Sequence, residues 1–344
     1  MLGGFSDFFG LDIGTTAIRV VQLKGKQHPK ALFRYGKMPI EHYLSDKNDD
    51  ASLRRLAQKI RETLRTFQIS TGNVVVGLPN NKIYSTVQEF EVNSASNLKK
   101  MLKFQANTIV PQGDDSQIAW DVLDKQTKTP TKKKSVFICS VNSQYAQARL
   151  EMLESIKLNV LAFEPDGLAL NRAIANNTSQ ASLLVDVGFR HTDIVISVHN
   201  QPRLISAIPI GLASIMRAVE NTLHGDQIQN QQLIFQVGLR DQKSQPELHS
   251  RIIKSLELLI INLNKATDYF INRYTHHNLE KITLWGDIVY VPGFIEYLAS
   301  AINLPVEIGN SWQNIVYPPR MREELRDLSV NFAVATGLAE RQVI

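Results

Sequence analysis

Leu11-Asp12-Ile13-Gly14-Thr15-Thr16-Ala17-Ile18-Arg19-Val20-Val21-Gln22-Leu23 is two apolar β runs joined by a turn of Asp, Gly and Thr, the turn chemistry of a β-hairpin. A near copy follows much later, Leu183-Leu184-Val185-Asp186-Val187-Gly188-Phe189-Arg190-His191-Thr192-Asp193-Ile194-Val195-Ile196-Ser197. It again sets Asp-x-Gly at the tip of an apolar strand, with a Thr after it and a second apolar strand. The recurrence predicts two similar half-chains. An Asp at a strand end, followed by Gly and Thr, can serve a nucleotide in three ways. The carboxylate faces a hydrated Mg²⁺, the Gly lets phosphate approach the backbone, and the N–H groups of the turn face anionic oxygens. Asp12, Gly14, Thr15 and Thr16 fit that pattern. One Asp-x-Gly-Thr is weak, because Asp-Gly turns are common. Two of them, one per half, would face each other across a cleft and hold one polyphosphate from both sides.

Outward from the first hairpin, Leu53, Leu56, Ile60, Leu64 and Phe67 have helical spacing, and Val74-Val75-Val76 is a strand ending in Gly77-Leu78-Pro79. The texture then changes. A β run at Ile83–Val92, a helix around Leu98–Asn107, a β run near Ile118–Leu123, a charged loop at Thr127–Lys134, a strand at Val136–Val141 and a helix at Tyr145–Ile156 form a small α+β insertion in the first half. The second half carries a polar helical stretch, Leu212–Leu239, and a long amphipathic helix, Pro246–Tyr274. A late strand, Lys281–Trp285, runs into Gly286-Asp287, and Pro292-Gly293-Phe294 opens another helix. The small apolar segment Val330–Ala339 returns to the first half. The expected domains are 1–180 plus 320–344, holding an insertion at about 82–160, and 181–319.

Composition narrows the class. The 344 residues are 43% hydrophobic and 21% charged, as in soluble globular proteins. A formal charge of +5 is too thin an excess for a dedicated nucleic-acid binder, so no nucleic-acid partner is expected. The single cysteine, Cys139, lies in an apolar run; a buried thiol and a reducing compartment are expected, and a disulfide framework is excluded. Met1–Gly10 has neither basic residues nor a long apolar stretch, and the best later run, Leu256–Leu263, is broken by Asn262, so a cytosolic protein is expected. Phe5, Phe8 and Phe9 are expected to pack against the body, and Lys132-Lys133-Lys134 to be a solvated turn. His276-His277 lack a third ligand for a metal. There is no Gly-x-x-x-x-Gly-Lys-Ser/Thr loop, Gly-x-Ser-x-Gly elbow or His-Glu-x-x-His helix.

The paired hairpins, the Trp285-Gly286 and Pro292-Gly293 segment, and the terminal Ala335-Thr336-Gly337-Leu338-Ala339 resemble the actin-like ATPase superfamily. Phe9-Gly10-Leu11-Asp12-Ile13-Gly14, Val74–Leu78 leading into Pro79, Gln105–Pro111, and Glu164-Pro165 before Ala169-Leu170 resemble, within it, the PilM family of type IV pilus assembly proteins, relatives of the cell-division protein FtsA. The resemblance implies an α/β, actin-like (ribonuclease-H-like) two-domain fold with a small α+β insertion in the first domain. It implies a cytoplasmic scaffold at the inner face of the cell membrane that binds ATP with Mg between its halves. Its partner would be a PilN-like inner-membrane protein, captured by its cytoplasmic N-terminal segment in a groove between the first domain and the insertion. The residues of that groove stay unassigned.

Carried over by position, Asp12, Gly14, Thr15 and Thr16 match the family's first phosphate motif, and Asp186, Gly188 and Thr192 match its second. Asp12 and Asp186 would face Mg through water. On the adenosine side only Gly286 and Gly293 remain of a glycine run, and Ile288, Val289 and Tyr290 put bulk there. Ile210-Gly211 stands where relatives have a Gly pair, and Gln231 and Ile234 where they have Glu-x-x-Lys. Weakened nucleotide binding, or a pseudo-ATPase, is implied. Glu164 is the acid for orienting an attacking water, with turnover slow or absent. Two rivals share the fold. One is a small-molecule kinase, which needs a base on a second substrate. The other is an FtsA-like polymerising division protein, whose C-terminal amphipathic anchor has no counterpart in Glu340–Ile344.

Overall fold

Apolar alternation in the opening hairpin builds an edge-to-edge sheet from its first residues. In the computed structural model, which describes residues 7–25, 28–91, 98, 100–102, 108–110, 115–123, 133–174, 181–220, 227–240 and 245–342, three strands follow one another antiparallel: β1 (Phe9–Ile13), β2 (Ala17–Lys24) and β3 (Lys30–Pro39). The helix α1 (Asp50–Thr66) crosses over to β4 (Asn73–Leu78), parallel to β1. Asp49 caps α1 by accepting the Ser52 N–H at 2.9 Å, and Leu56 and Ile60 turn inward one helical turn apart. After the insertion, β8 (Asn159–Pro165) joins parallel to β4, and α3 (Asp166–Ala173) follows it directly.

The second half repeats the plan. Strands β9 (Ala181–Val187), β10 (Thr192–Val198) and β11 (Gln201–Ile208) are antiparallel neighbours, and β12 (Leu279–Trp285) and β13 (Val306–Ile308) add in parallel. The strand orders are β14-β3-β2-β1-β4-β8 and β11-β10-β9-β12-β13, the same walk outward from the hairpin, with the short β14 (Ile315–Val316) extra on the first sheet. Between β10 and β12 lie α4 (Leu212–Glu220), α5 (Gln227–Gln236) and α6 (Pro246–Arg273). The last buries Leu248, Ile252, Leu256, Leu259, Leu263 and Phe270 along one stripe. The helix α7 (Phe294–Ile302) opens after Gly293.

The insertion is an antiparallel sheet of order β5-β7-β6, from β5 (Ile83–Glu91), β6 (Ser116–Val122) and β7 (Lys133–Asn142), followed by α2 (Ser143–Ser155). The helix expected around 98–107, residues 127–132 of the loop expected at 127–134, and Phe5 fall wholly or largely outside the described residues, whereas Lys133 and Lys134, expected in that loop and its solvated turn, instead open β7, paired with Glu91 and Phe90. Helices α8 (Arg322–Leu328) and α9 (Ala333–Ala339) finish the chain. The helix α9 lies on the first sheet because glycines let it in: a Cβ on Gly10 would stand 2.3 Å from the Ala335 carbonyl, and one on Gly337 1.8 Å from that of Ala169 in α3. Among the described residues no helix is long and apolar enough to cross a membrane.

Candidate functional site

The two hairpins close with one geometry. The Gly14 N–H donates to the Ala17 carbonyl at 3.0 Å and the Gly188 N–H to that of His191 at 3.0 Å. Across each ladder the strand-end acid faces the residue seven positions on, Asp12 opposite Arg19 and Asp186 opposite Asp193. The duplicated backbone thus holds an acid–base pair in one half and an acid–acid pair in the other.

Both tips border one cleft of about 940 Å³, counted to its open mouth, and Asp12, Gly14, Thr15, Thr16, Asp186, Gly188 and Gly286 all line it. Gly286 has φ +90°, and a Cβ there would stand 2.0 Å from the Val187 carbonyl. The remaining expected residues are elsewhere. Thr192 is fully buried, and its hydroxyl donates to the Ile210 carbonyl at 2.7 Å, tying β10 to the segment after β11. Gly293 (φ +79°) begins α7 against Leu239 and does not line the cleft.

Glu164, the acid expected beside the phosphates, does not line the cleft. It pairs in register with Gly77, is fully buried and turns away from the cleft, where Arg172 and Arg341 each hold one of its oxygens. The acid of this segment that does line the cleft is Asp166, the first residue of α3. Gly77 makes room for it: a Cβ there would be 2.2 Å from Asp166 Oδ1.

The cleft is rich in carboxyl groups. Burial pushes Asp186 up to about 7, with Asp193 opposite it adding to the rise and Arg19 opposing it. Asp166 is held well above the usual range by burial and by Asp12, Asp193 and Asp186. Burial also raises Asp12, against Arg19, and Asp193, against His191. One oxygen each of Asp166 and Asp193 is buried without a hydrogen-bond partner. Arg19 donates to Asp12 at 3.2 Å and to Asn331 Oδ1 at 3.1 Å. Asn331 Oδ1 also accepts from Lys37 at 3.0 Å, and its amide donates to Asp287 at 2.9 Å. Such a surplus of negative charge suits a divalent cation carried with an anion rather than a bare anion. Among the described residues no three metal-binding side chains converge for direct coordination, so a cation here would keep part of its water shell.

Sequence reasoning missed Arg19, Asp166 and Asp193. Arg19 and Asp193 were readable as the cross-strand partners of the two motif acids, whereas Asp166 carries no spacing signal of its own.

A latch spans the mouth. Arg190, at the second hairpin's tip, ion-pairs with Asp46 of the first half and lies 4.4 Å over the Tyr43 ring, while Phe189 packs at a tilt against His42 with ring centres 4.4 Å apart. A separate groove of about 2520 Å³, counted to its open mouth, lies where the insertion, the first half and the β10–β11 turn at Asn200–Pro202 meet. Trp120, Leu123 and Phe137 stand on one side, and Phe163, Leu168 and Arg172 on the other.

A model of the family described as type IV pilus assembly protein PilM matches residues 10–234. No curated protein matches the chain. Among solved structures, the one titled "PilM-PilN type IV pilus biogenesis complex" superposes with a TM-score of 0.84 at 20% identity, covering 98% of both chains. Ethanolamine utilization protein EutJ from Carboxydothermus hydrogenoformans superposes at 0.53 and 13% identity, over 96% of this chain and 88% of its own. MreB5 of Spiroplasma citri bound to ADP does so at 0.53 and 11%, over 97% and 95%. These likenesses give the actin-like fold that the paired hairpins imply. With the repeated sheet order, the inserted three-stranded sheet and a family model covering about two-thirds of its length, the chain belongs to the type IV pilus assembly protein PilM family.

Proposed function

We propose that the chain is an actin-like scaffold of type IV pilus assembly at the inner face of the cell membrane. In this reading it captures the cytoplasmic N-terminal segment of a PilN-like membrane protein in the groove between insertion and first half, and binds ATP with Mg in the cleft. The observation carrying the reading is the groove itself: a large trough of mixed polar and apolar lining beside the inserted sheet, in a chain whose family and fold match a protein solved with PilN. Trp120, 39% exposed on the outer strand β6, offers the aromatic anchor that peptide grooves use.

In the cleft, the Thr15 and Thr16 N–H groups and the Arg19 guanidinium would hold phosphate oxygens, with Gly188 and Gly286 admitting them closely from the other half. Asp12 and Asp186 would hold Mg through water. Asp166 is the acid able to hold a water beside the phosphates. ATP with Mg supplies a charge-matched bridge between the halves. The α3 helix starts in the cleft at Asp166 and lines the groove with Leu168 and Arg172, so it gives the two sites one shared rigid element.

Calorimetry with a synthetic peptide of the cognate PilN-like N-terminal segment tests the partner. Micromolar binding that Trp120→Ala weakens about tenfold is expected. No binding by the wild-type chain, or binding unchanged by Trp120→Ala, would overturn the groove assignment.

A further inference from the structure

The cleft's two ends differ in what they can hold. The phosphate end is lined by Thr15 and Thr16 of the first turn, by Arg19 and by Gly188 of the second turn. A nucleoside would have to continue past Gly286, between the 287–293 segment and the end of α5. Those two segments touch. The Leu239 N–H donates to the Pro292 carbonyl at 2.7 Å, and Gly238, at φ +54°, lies so close that a Cβ on it would be 2.4 Å from that same oxygen. Ile234, Ile288, Val291 and Phe294, each no more than 2% exposed, fill the space behind them as one core.

Among the described residues lining the cleft, none comes from 213–240 or from 288–293. Two aromatic rings do line it, yet Phe189 packs at a tilt against His42 and Tyr145 lies 5.2 Å beneath the Arg149 guanidinium. The start of α4 is taken as well: the Leu212 and Ala213 N–H groups donate to the Gly188 and Phe189 carbonyls at 3.1 and 2.8 Å. Discrimination between bases arises when polar groups built for one are left unpaired by another; among the described residues of these two segments only Asp287 lines the cleft, and its Oδ1 already accepts from the Asn331 amide at 2.9 Å.

We infer that the cleft binds a polyphosphate with a divalent cation and does not read the nucleobase, so that ATP, GTP and inorganic triphosphate are one class of ligand to it. The inference rests on the phosphate-binding reading above and narrows it: the ligand is selected by chain length and charge, and the nucleoside projects into solvent.

The test is calorimetric titration of the full chain with Mg-ATP, Mg-GTP and Mg-tripolyphosphate, repeated with the near-isosteric Asp12→Asn variant after circular dichroism has checked its fold. The expected result is three dissociation constants within about threefold of one another, all weakened tenfold or more in Asp12→Asn. ATP tighter than both GTP and tripolyphosphate by tenfold or more would overturn the inference and leave the ATP-site reading standing. Absence of binding by all three ligands, or binding unaffected in a folded Asp12→Asn chain, would overturn the phosphate site and the inference with it.

Discussion

Replacing Asp186 by Asn should stabilise the ligand-free protein at neutral and alkaline pH while removing its response to ligand. Asp186 faces Asp193 across the β9–β10 ladder, and burial with that neighbour lifts it from the usual 3.8 to about 7. Below pH 3.8 the carboxyl is protonated in both the folded and the unfolded chain and carries no differential cost. Between 3.8 and 7 the folded chain keeps a proton that the unfolded chain releases, so the free energy of unfolding falls as pH rises, and above 7 the full cost is present. At about 1.4 kcal/mol per pH unit that interval is worth about 4 kcal/mol, and relaxation of the variant leaves about 2–4 kcal/mol to recover. With an unfolding entropy of roughly 0.7 kcal/mol/K for a chain this long, the gain is a Tm shift of about 3–6 °C.

The assay is thermal unfolding of wild type and Asp186→Asn at pH 4 and pH 8, with and without Mg-triphosphate. Without ligand the two should melt together at pH 4, and the variant about 3–6 °C higher at pH 8. With ligand at 100 times its dissociation constant, the wild type should gain about 2.7 kcal/mol and the variant much less. A variant that melts below the wild type at pH 8 without ligand would refute the reasoning, because it would show that the Asp186 carboxylate is a net source of stability.

Three further outcomes follow from the packing. Glu164→Gln leaves Arg172 and Arg341 around a neutral amide in a fully buried position, so it should lower stability by about 3 kcal/mol in urea titration while Mg-triphosphate affinity stays within about threefold; a loss of affinity alone would restore Glu164 to the cleft. Gly337→Ala drives a Cβ to 1.8 Å from the Ala169 carbonyl and should cost about 1–3 kcal/mol or more, read as a fall in the urea midpoint. Arg190→Ala removes an ion pair whose partners are 42% and 25% exposed, so stability should move by less than about 1 kcal/mol; ligand release in stopped flow should quicken several-fold, because the latch across the mouth is gone.

Much of this architecture is legible in the sequence because duplication writes it twice. The hairpins at Asp12 and Asp186 carry the same turn chemistry and the same alternation, and they fold to the same closing hydrogen bond. The insertion announces itself as a break in texture after Pro79. What stays hidden depends on contacts distant in sequence. The polar stretch from Leu212 to Leu239 has no periodic signal for the division between α4 and α5. The latch joins residues about 144 positions apart, Asp46 and Arg190, neither of which stands in a motif. Thr192 matches a phosphate motif by position, yet its neighbours in the fold, not in the sequence, give its hydroxyl the Ile210 carbonyl as partner.

Glu164 and Asp166 show the limit most directly. Both lie at the end of β8 on either side of Pro165, and strand alternation would put residues two apart on one face. The alternation holds only while the chain remains a strand. Pro165 is the last strand residue and Asp166 the first of α3, so the backbone turns between them and the two carboxylates point into different cavities. Which one enters the cleft is then decided by their surroundings. Glu164 finds two guanidinium groups, one of them on Arg341 far along the chain, whereas Asp166 finds the space left by Gly77. A glycine on the neighbouring strand β4, opposite Glu164 in register and without a side chain to fill the end of the cleft, is thus what selects the acid that enters the cleft.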